Sequence, residues 1–386
     1  MGFAGGYMPL LTYVPFAGCA IIDIDNRLVG VIMPYLVTSI MAGAFPAPQA
    51  PPKRSRLTEK GRALWTLALF SPIFAELMSG SSPPLEFFFP LNFAFLLGLY
   101  GAGVLIMREL AVIWDKGWPS IILLGAAYGI LEEGIAVKSF FDPGWMDLGN
   151  LGVYGRVLDT NWVWAFWLTI FHSVISISLP IIVINLMYPQ FRKERFLVGR
   201  SFWIVIGILF IDVIFIAGVL NPYSPNPGMY ALCMFVMVLI VLMAKLLPRD
   251  FLAIPPRPGD RPGYWSPIKL SVLAFAFILG SFVTVGAINE PIPYQVSIMV
   301  LLMLSAVVFV VLSLKMPPVN NRVHMAYFAS GLLGFMVFLG LVLGMGGAID
   351  MAIVAIVTAV FIWDFTRWSK GLPVRVFKVR PFVVKN

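Results

Sequence analysis

Charge is what this sequence has least of. Of its 386 residues only 12% are Asp, Glu, Lys or Arg, about half the share found in an ordinary soluble domain. With 60% hydrophobic residues, that scarcity excludes a water-soluble fold. Cysteine is rarer still: Cys19 and Cys233 lie far apart, furnish neither a four-ligand zinc site nor a disulfide framework, and read as packing residues. No basic residue precedes Arg27 and no A-x-A-like cleavage site stands out, so the amino terminus is expected to be retained.

Long apolar runs fill the space that charge leaves. Segments 28–45, 62–79, 91–114, 118–141, 162–188, 201–220, 229–247, 267–288, 294–314, 324–344 and 346–365 are each about long enough to cross a ~30 Å hydrocarbon layer as a helix. The first contains Pro34 and follows an apolar stretch, 7–22, that suits an interfacial position, so the pattern predicts an all-α polytopic bundle of ten or eleven spans in the cell membrane. All but three of the 27 Lys and Arg, namely Arg27, Lys138 and Arg156, fall in alternate loops or adjoining span ends, which predicts a cytoplasmic carboxyl terminus. The formal charge of +8 therefore has a topological reading, and KRSRLTEKGR and RWSKGLPVRVFKVR suit an anionic lipid surface. The expected partners are the bilayer and a small-molecule or membrane-peptide substrate, with no nucleic acid.

Four regions follow: an amino-terminal segment 1–61 with one uncertain span, a polar bundle 62–247, a proline-rich cytoplasmic linker 248–266, and a four-helix scaffold with a basic tail, 267–386. In the scaffold, Gly344, Gly346 and Gly347 predict a tight turn between antiparallel helices.

Function is sought among ionisable residues inside the spans, because a charge near the bilayer centre costs at least about 2.5–3.5 kcal/mol and normally faces a partner or a cavity. Glu76, Glu132, Glu133, Asp212 and Asp350 are such residues, together with His172, Lys138, Arg108 and Glu109 in or near spans. At ~1.5 Å rise per residue, Glu132 lies about 13 Å and His172 about 15 Å from the same surface, on consecutive helices. The Glu pair and the histidine are therefore expected to meet. Adjacent helical residues diverge by about 100°, so only one glutamate is expected to aim squarely at His172, with Lys138 neutralising the other or snorkelling. Arg108 and Glu109 lie close to the cytoplasmic end, where a structural role is simplest, and His324 at a helix start is expected to be solvated. The loop 139–161 is expected to fold over the site, and Trp145, Trp162 and Trp164 suit an interfacial belt. Gly125, Ala126, Ala127 and Gly129 form a small-residue face for close helix packing.

LEEGIAVKSFF followed by FHSV resembles the first two motifs of the CAAX-processing and bacteriocin-processing (CPBP) glutamic intramembrane proteases. Glu132 and Glu133 stand at the glutamate pair and His172 at the first histidine. Lys138 comes one position late for the basic residue, Leu168 replaces a phenylalanine, and the second histidine motif is missing, with Asp212 or Asn221 as conceivable substitutes. The segment GAAYGILEEGIAVKSFFDP also resembles uncharacterised prokaryotic multi-pass membrane proteins. The resemblance implies a metal-free, cofactor-free peptidase with Glu132 or Glu133 as general base and His172 at the oxyanion. Two readings of the same residues stand beside it: a proton-coupled carrier using them as a relay, and a non-catalytic scaffold in which the pairs only join helices. A metal would need Asp212 or Glu76 to join the group.

Overall fold

The computed structural model describes residues 58–249, 251, 265–288, 290–315 and 322–374, with backbone only for 313–315. The uncertain span 28–45, the stretch 7–22, Cys19 and most of the basic tail lie outside the described residues. Helix α1 (Glu59–Pro72) runs on through a π-helical turn (Ile73–Leu77). After the short α2 (Pro84–Phe87) come α3 (Pro90–Ile113), α4 (Trp118–Ala136), α5 (Trp162–Met187), α6 (Arg200–Leu220) and α7 (Pro227–Leu246). The carboxyl-terminal part adds α8 (Pro267–Ala287), α9 (Tyr294–Lys315), α10 (Arg322–Met345) and α11 (Ile349–Ser369). Among the described residues, α3 to α11 are nine helices long and apolar enough to cross a membrane. The chain is thus an all-α, multi-pass membrane protein, and α1 with its π turn occupies the place expected of the span 62–79. Its one sheet among these residues is a two-residue antiparallel ribbon, β1 (Arg156–Val157) with β2 (Thr160–Asn161).

Helix starts follow local chemistry. Thr58 Oγ1 accepts from Gly61 N, Ser266 Oγ from Lys269 N, and Asn226 Oδ1 from Gly228 N and Met229 N, so side chains satisfy donors that the first turn leaves free. Proline follows the cap directly at Pro227 and Pro267, where its missing N–H is no loss.

Loops rich in Lys and Arg gather at one end of the bundle, here the basic end. Lys60 meets Glu194 at 3.2 Å, Arg249 meets Asp115 at 2.6 Å, and Lys116 Nζ donates to Leu247 O at 2.8 Å. His324 is not free in solvent: its Nε2 lies 3.1 Å from Trp265 O, while Arg322 donates to the carbonyls of Trp368 and Ser369. Arg108 and Glu109 belong here too, 2% and 0% exposed. Arg108 donates to Glu109 at 3.1 Å and to the carbonyls of Phe191 and Glu194, and stacks 3.6 Å over the Phe196 ring. Glu109 Oε1 accepts from Phe196 N at 2.6 Å. The pair latches the loop 189–199 to α3.

At the opposite end lie the segment 80–89 and the loop 137–161, joined to the start of α9 through Tyr154 and Ser297 at 3.0 Å. The expected span 118–141 is shorter than predicted. α4 stops at Ala136 because Lys138 takes a left-handed φ of 62° and its ammonium leaves the helix. The glycine turn between α10 and α11 is as expected, with Gly347 at φ 111°. In their apolar windows α3 and α5 are 78% buried and α4 61%, against 17% for α6 and 6% for α7. The residues expected to carry chemistry therefore sit mainly on the enclosed helices, while α6 and α7 face outward.

The small-residue face does what its composition predicts. A Cβ on Gly125 would meet Ser173 Cα at 2.8 Å, and one on Gly129 would meet Thr169 Cα at 3.2 Å, so α4 and α5 touch backbone to backbone. On Gly207 of α6 a Cβ would meet nothing within 4 Å. Gly125→Ala is thus expected to lower stability, because overpacking against main chain costs about 1–3 kcal/mol, more than the ~1 kcal/mol gained from helix propensity. Gly207→Ala is expected to raise it. Thermal unfolding in detergent gives the two signs directly. Glu109→Ala leaves Arg108 buried without its carboxylate and is expected to destabilise by about 3–5 kcal/mol, which the same measurement reads.

Candidate functional site

Four π-helical turns face one another where α1, α3, α4 and α5 meet, and each carries a polar side chain of the group. They are Ile73–Leu77 with Glu76, Leu97–Gly101 with Tyr100, Ile130–Ala136 with Glu132 and Glu133, and His172–Ser178 with His172. The five-residue hydrogen-bond spacing is explicit in Met78 N to Ile73 O at 2.9 Å and Val137 N to Glu132 O at 2.7 Å. Such insertions recur at functional sites.

His172 is clamped from both sides. Its Nε2 lies 3.1 Å from Glu133 Oε1, and its Nδ1 lies 3.1 Å from Glu132 Oε2 and 2.9 Å from Ser176 Oγ. The expectation that only one glutamate reaches the imidazole is corrected. The wider π turn brings successive residues closer in direction, and two flexible side chains then embrace the ring. The side chains of His172 and Glu132 are 3% and 2% exposed, that of Glu133 12%. Nδ1 is engaged by Ser176, and Glu132 Oε2 has no hydrogen-bond partner despite its short approach. One carboxylate oxygen, Nδ1 or Nε2, and the second carboxylate oxygen all lie within 4.8 Å of one another.

Supporting groups surround this core. Ser139 donates to Glu133 Oε2, while Trp164 Nε1 donates to Ser139 Oγ at 3.0 Å and Asn161 Nδ2 to Ser139 O at 3.2 Å. Glu76 accepts from the Tyr100 hydroxyl and, at 2.8 Å, from Ser82 Oγ. The rings of Tyr100 and Tyr128 stand 6.1 and 6.4 Å from the imidazole. The loop 139–161 thus packs over the group as expected, and Trp164, assigned to a lipid belt, instead serves the site. Ser139, Ser176, Tyr100 and Tyr128 are additions that an apolar-run reading passes over, since each is an ordinary residue in a hydrophobic span or its flank.

Other expected members lie elsewhere. Lys138 does not neutralise a glutamate: its Nζ donates to Ala217 O, Asn221 O and Tyr223 O at 2.5, 3.0 and 2.9 Å, closing the end of α6, and desolvation holds its amine below the usual lysine range. Asn221 donates to Val137 O and so pins the same helix end. Asp212 lies against Gly98, whose Cβ would meet Oδ2 at 2.7 Å. Arg108 and Glu109 latch the basic end, and Asp350 Oδ1 accepts from Met351 N at the start of α11. Toward the other end, the packing around Asp147 and then the charge of Glu133 hold its carboxyl above the usual aspartate range. Glu86 is raised likewise, by its packing and then by Asp147. Glu86 and Asp147 are both exposed at that end of the bundle.

Residues 65–247, just under half of the chain and the part holding the whole group, match the model of an uncharacterized membrane protein family. No curated protein and no solved structure matches the chain, and the comparisons lend no support to the CPBP resemblance.

Proposed function

We propose that Glu132, His172 and Glu133 form the water-activating centre of an intramembrane hydrolase acting on a small-molecule or membrane-peptide substrate. The observation that carries this reading is the 3.1 Å contact between His172 Nε2 and Glu133, the carboxylate that keeps an open face while its two partners are nearly sealed. A water beside that face loses a proton to Glu133 as general base, a role worth about 10²–10⁴ in rate. Ser139 fixes the second oxygen of Glu133, so the base cannot swing away. Glu133 then passes that proton across the 3.1 Å contact to His172 Nε2, and the imidazole, oriented by Ser176 and flanked by Glu132, hands it to the leaving group as the tetrahedral intermediate collapses. In this scheme the chemistry needs no metal.

A carrier needs protonatable groups leading toward both ends of the bundle. Among the described residues Ser82, Glu76 and Tyr100 form one hydrogen-bonded set and Ser139, Glu133, His172 and Ser176 another, and no charged group of the basic loops joins either. That arrangement favours a site reached and left from one side.

Membranes from cells making the wild type, Glu133→Gln or His172→Ala, compared by mass spectrometry of lipids and membrane peptides, test the reading. A hydrolysis product is expected with the wild type and at least about 100-fold less with either variant, within the range general base catalysis supplies, at equal amounts of folded protein. Equal product profiles, or proton flux in proteoliposomes abolished by Glu133→Gln with no product anywhere, would reject it. Lys138→Met is expected to behave oppositely, lowering the unfolding temperature through the freed carbonyls of α6 while sparing turnover; loss of turnover at unchanged stability would return Lys138 to the chemistry.

A further inference from the structure

We infer that Glu132, Glu133 and His172 form a binding site for one first-row divalent cation of the zinc, manganese or iron(II) kind. The inference does not rest on the hydrolase reading and competes with it at Glu133, since a seated ion engages the oxygen with which Glu133 would take a proton. It rests on the geometry of the ligand atoms.

One imidazole nitrogen and two carboxylate oxygens within 4.8 Å of one another are close to a coordination shell. Bonds of about 2.0–2.2 Å leave ligand atoms up to roughly 4 Å apart, so closure needs side-chain shifts of under about 1 Å. A mixed N,O,O donor set suits these ions better than calcium or magnesium, which favour all-oxygen shells. Hydrogen bonding argues the same way. If Nδ1–H donates to Ser176, the Nε2 lone pair faces Glu133 Oε1 at 3.1 Å; if Nε2–H donates to Glu133, the Nδ1 lone pair faces Glu132 Oε2 at 3.1 Å. In either neutral tautomer an acceptor confronts a carboxylate, a conflict that an added proton or a bound metal cation removes. Glu132 Oε2, in a side chain 2% exposed, has no hydrogen-bond partner. Among the described residues no lysine or arginine pairs with Glu76, Glu132 or Glu133. Outer contacts of the usual kind are already in place: Ser176 on the far ring nitrogen and Ser139 on Glu133.

Untagged full-length protein, purified in detergent and stripped with a chelator, is titrated with cobalt(II) alone, following its visible absorption, and then with zinc to displace it. Expected is one ion per chain, with the cobalt bands lost in His172→Ala and Glu132→Gln and unchanged in Asp212→Asn. Ser176→Ala, which deletes one hydroxyl and keeps the ligands, is expected to weaken binding about 10–100-fold, so the result does not depend on the harsher variants folding. Circular dichroism and gel filtration confirm fold in each. No saturable binding by folded wild type at millimolar metal overturns the inference, as does binding that survives all three substitutions or that disappears in Asp212→Asn.

Discussion

An imidazole held between two carboxylates inside an apolar helix bundle is the arrangement on which the rest of this structure turns. An ionised group at membrane depth is expensive, at least about 2.5–3.5 kcal/mol by insertion scales. Removing one partner from a buried pair leaves the other uncompensated, which costs more than the pair is worth. His172 therefore fixes where α5 stands relative to α4, since its two nitrogens must find Glu132 and Glu133 at once. The glycines at 125 and 129 follow from the same demand. Ring and carboxylates meet only if the two backbones approach closely, and any Cβ at Gly125 would strike Ser173 at 2.8 Å.

The π turns are the second consequence. An α-helix presents successive residues about 100° apart, and Glu132 and Glu133 in such a helix would diverge around His172 instead of flanking it. Inserting a five-residue turn at Ile130–Ala136 narrows that divergence and leaves carbonyls such as Glu132 O to bond five residues ahead. The helices that bring Glu76, Tyr100 and His172 carry the same feature at those very positions. Four irregular turns meeting at one point, in helices otherwise regular, mark a place where the backbone is shaped around side-chain geometry.

Much of this is written in the sequence at the level of depth and little at the level of direction. Rise per residue places Glu132 and His172 at matched heights on consecutive spans, and they meet. The failed expectation, one glutamate per imidazole, came from assuming regular α-geometry, and nothing in ILEEGIA announces a π turn. Lys138 illustrates a different limit. Its position one turn beyond the glutamates suggests a counter-charge, yet a left-handed φ at that residue turns the ammonium to the carbonyls ending α6, partners that no linear pattern reveals. Trp164 reads as a belt residue because tryptophans commonly are; only the fold shows its indole N–H reaching Ser139. Arg108 and Glu109 show the same limit: closeness to the basic end suggests snorkelling, whereas the pair is buried and holds the loop 189–199.

The two ends of the bundle differ in a way that bears on access. At the basic end the loop 189–199 is tied down by Arg108 and Glu109, and below the histidine the close contact of Gly125 with Ser173 leaves no gap between α4 and α5. At the other end the most open member of the group, Glu133, lies under a loop whose hold on it passes through the single hydroxyl of Ser139. Asp147 and Glu86 continue the negative potential outward from there. Arg156 of the same loop, paired with Asp159 and donating to the Asn161 whose amide holds Ser139, sets positive charge beside them.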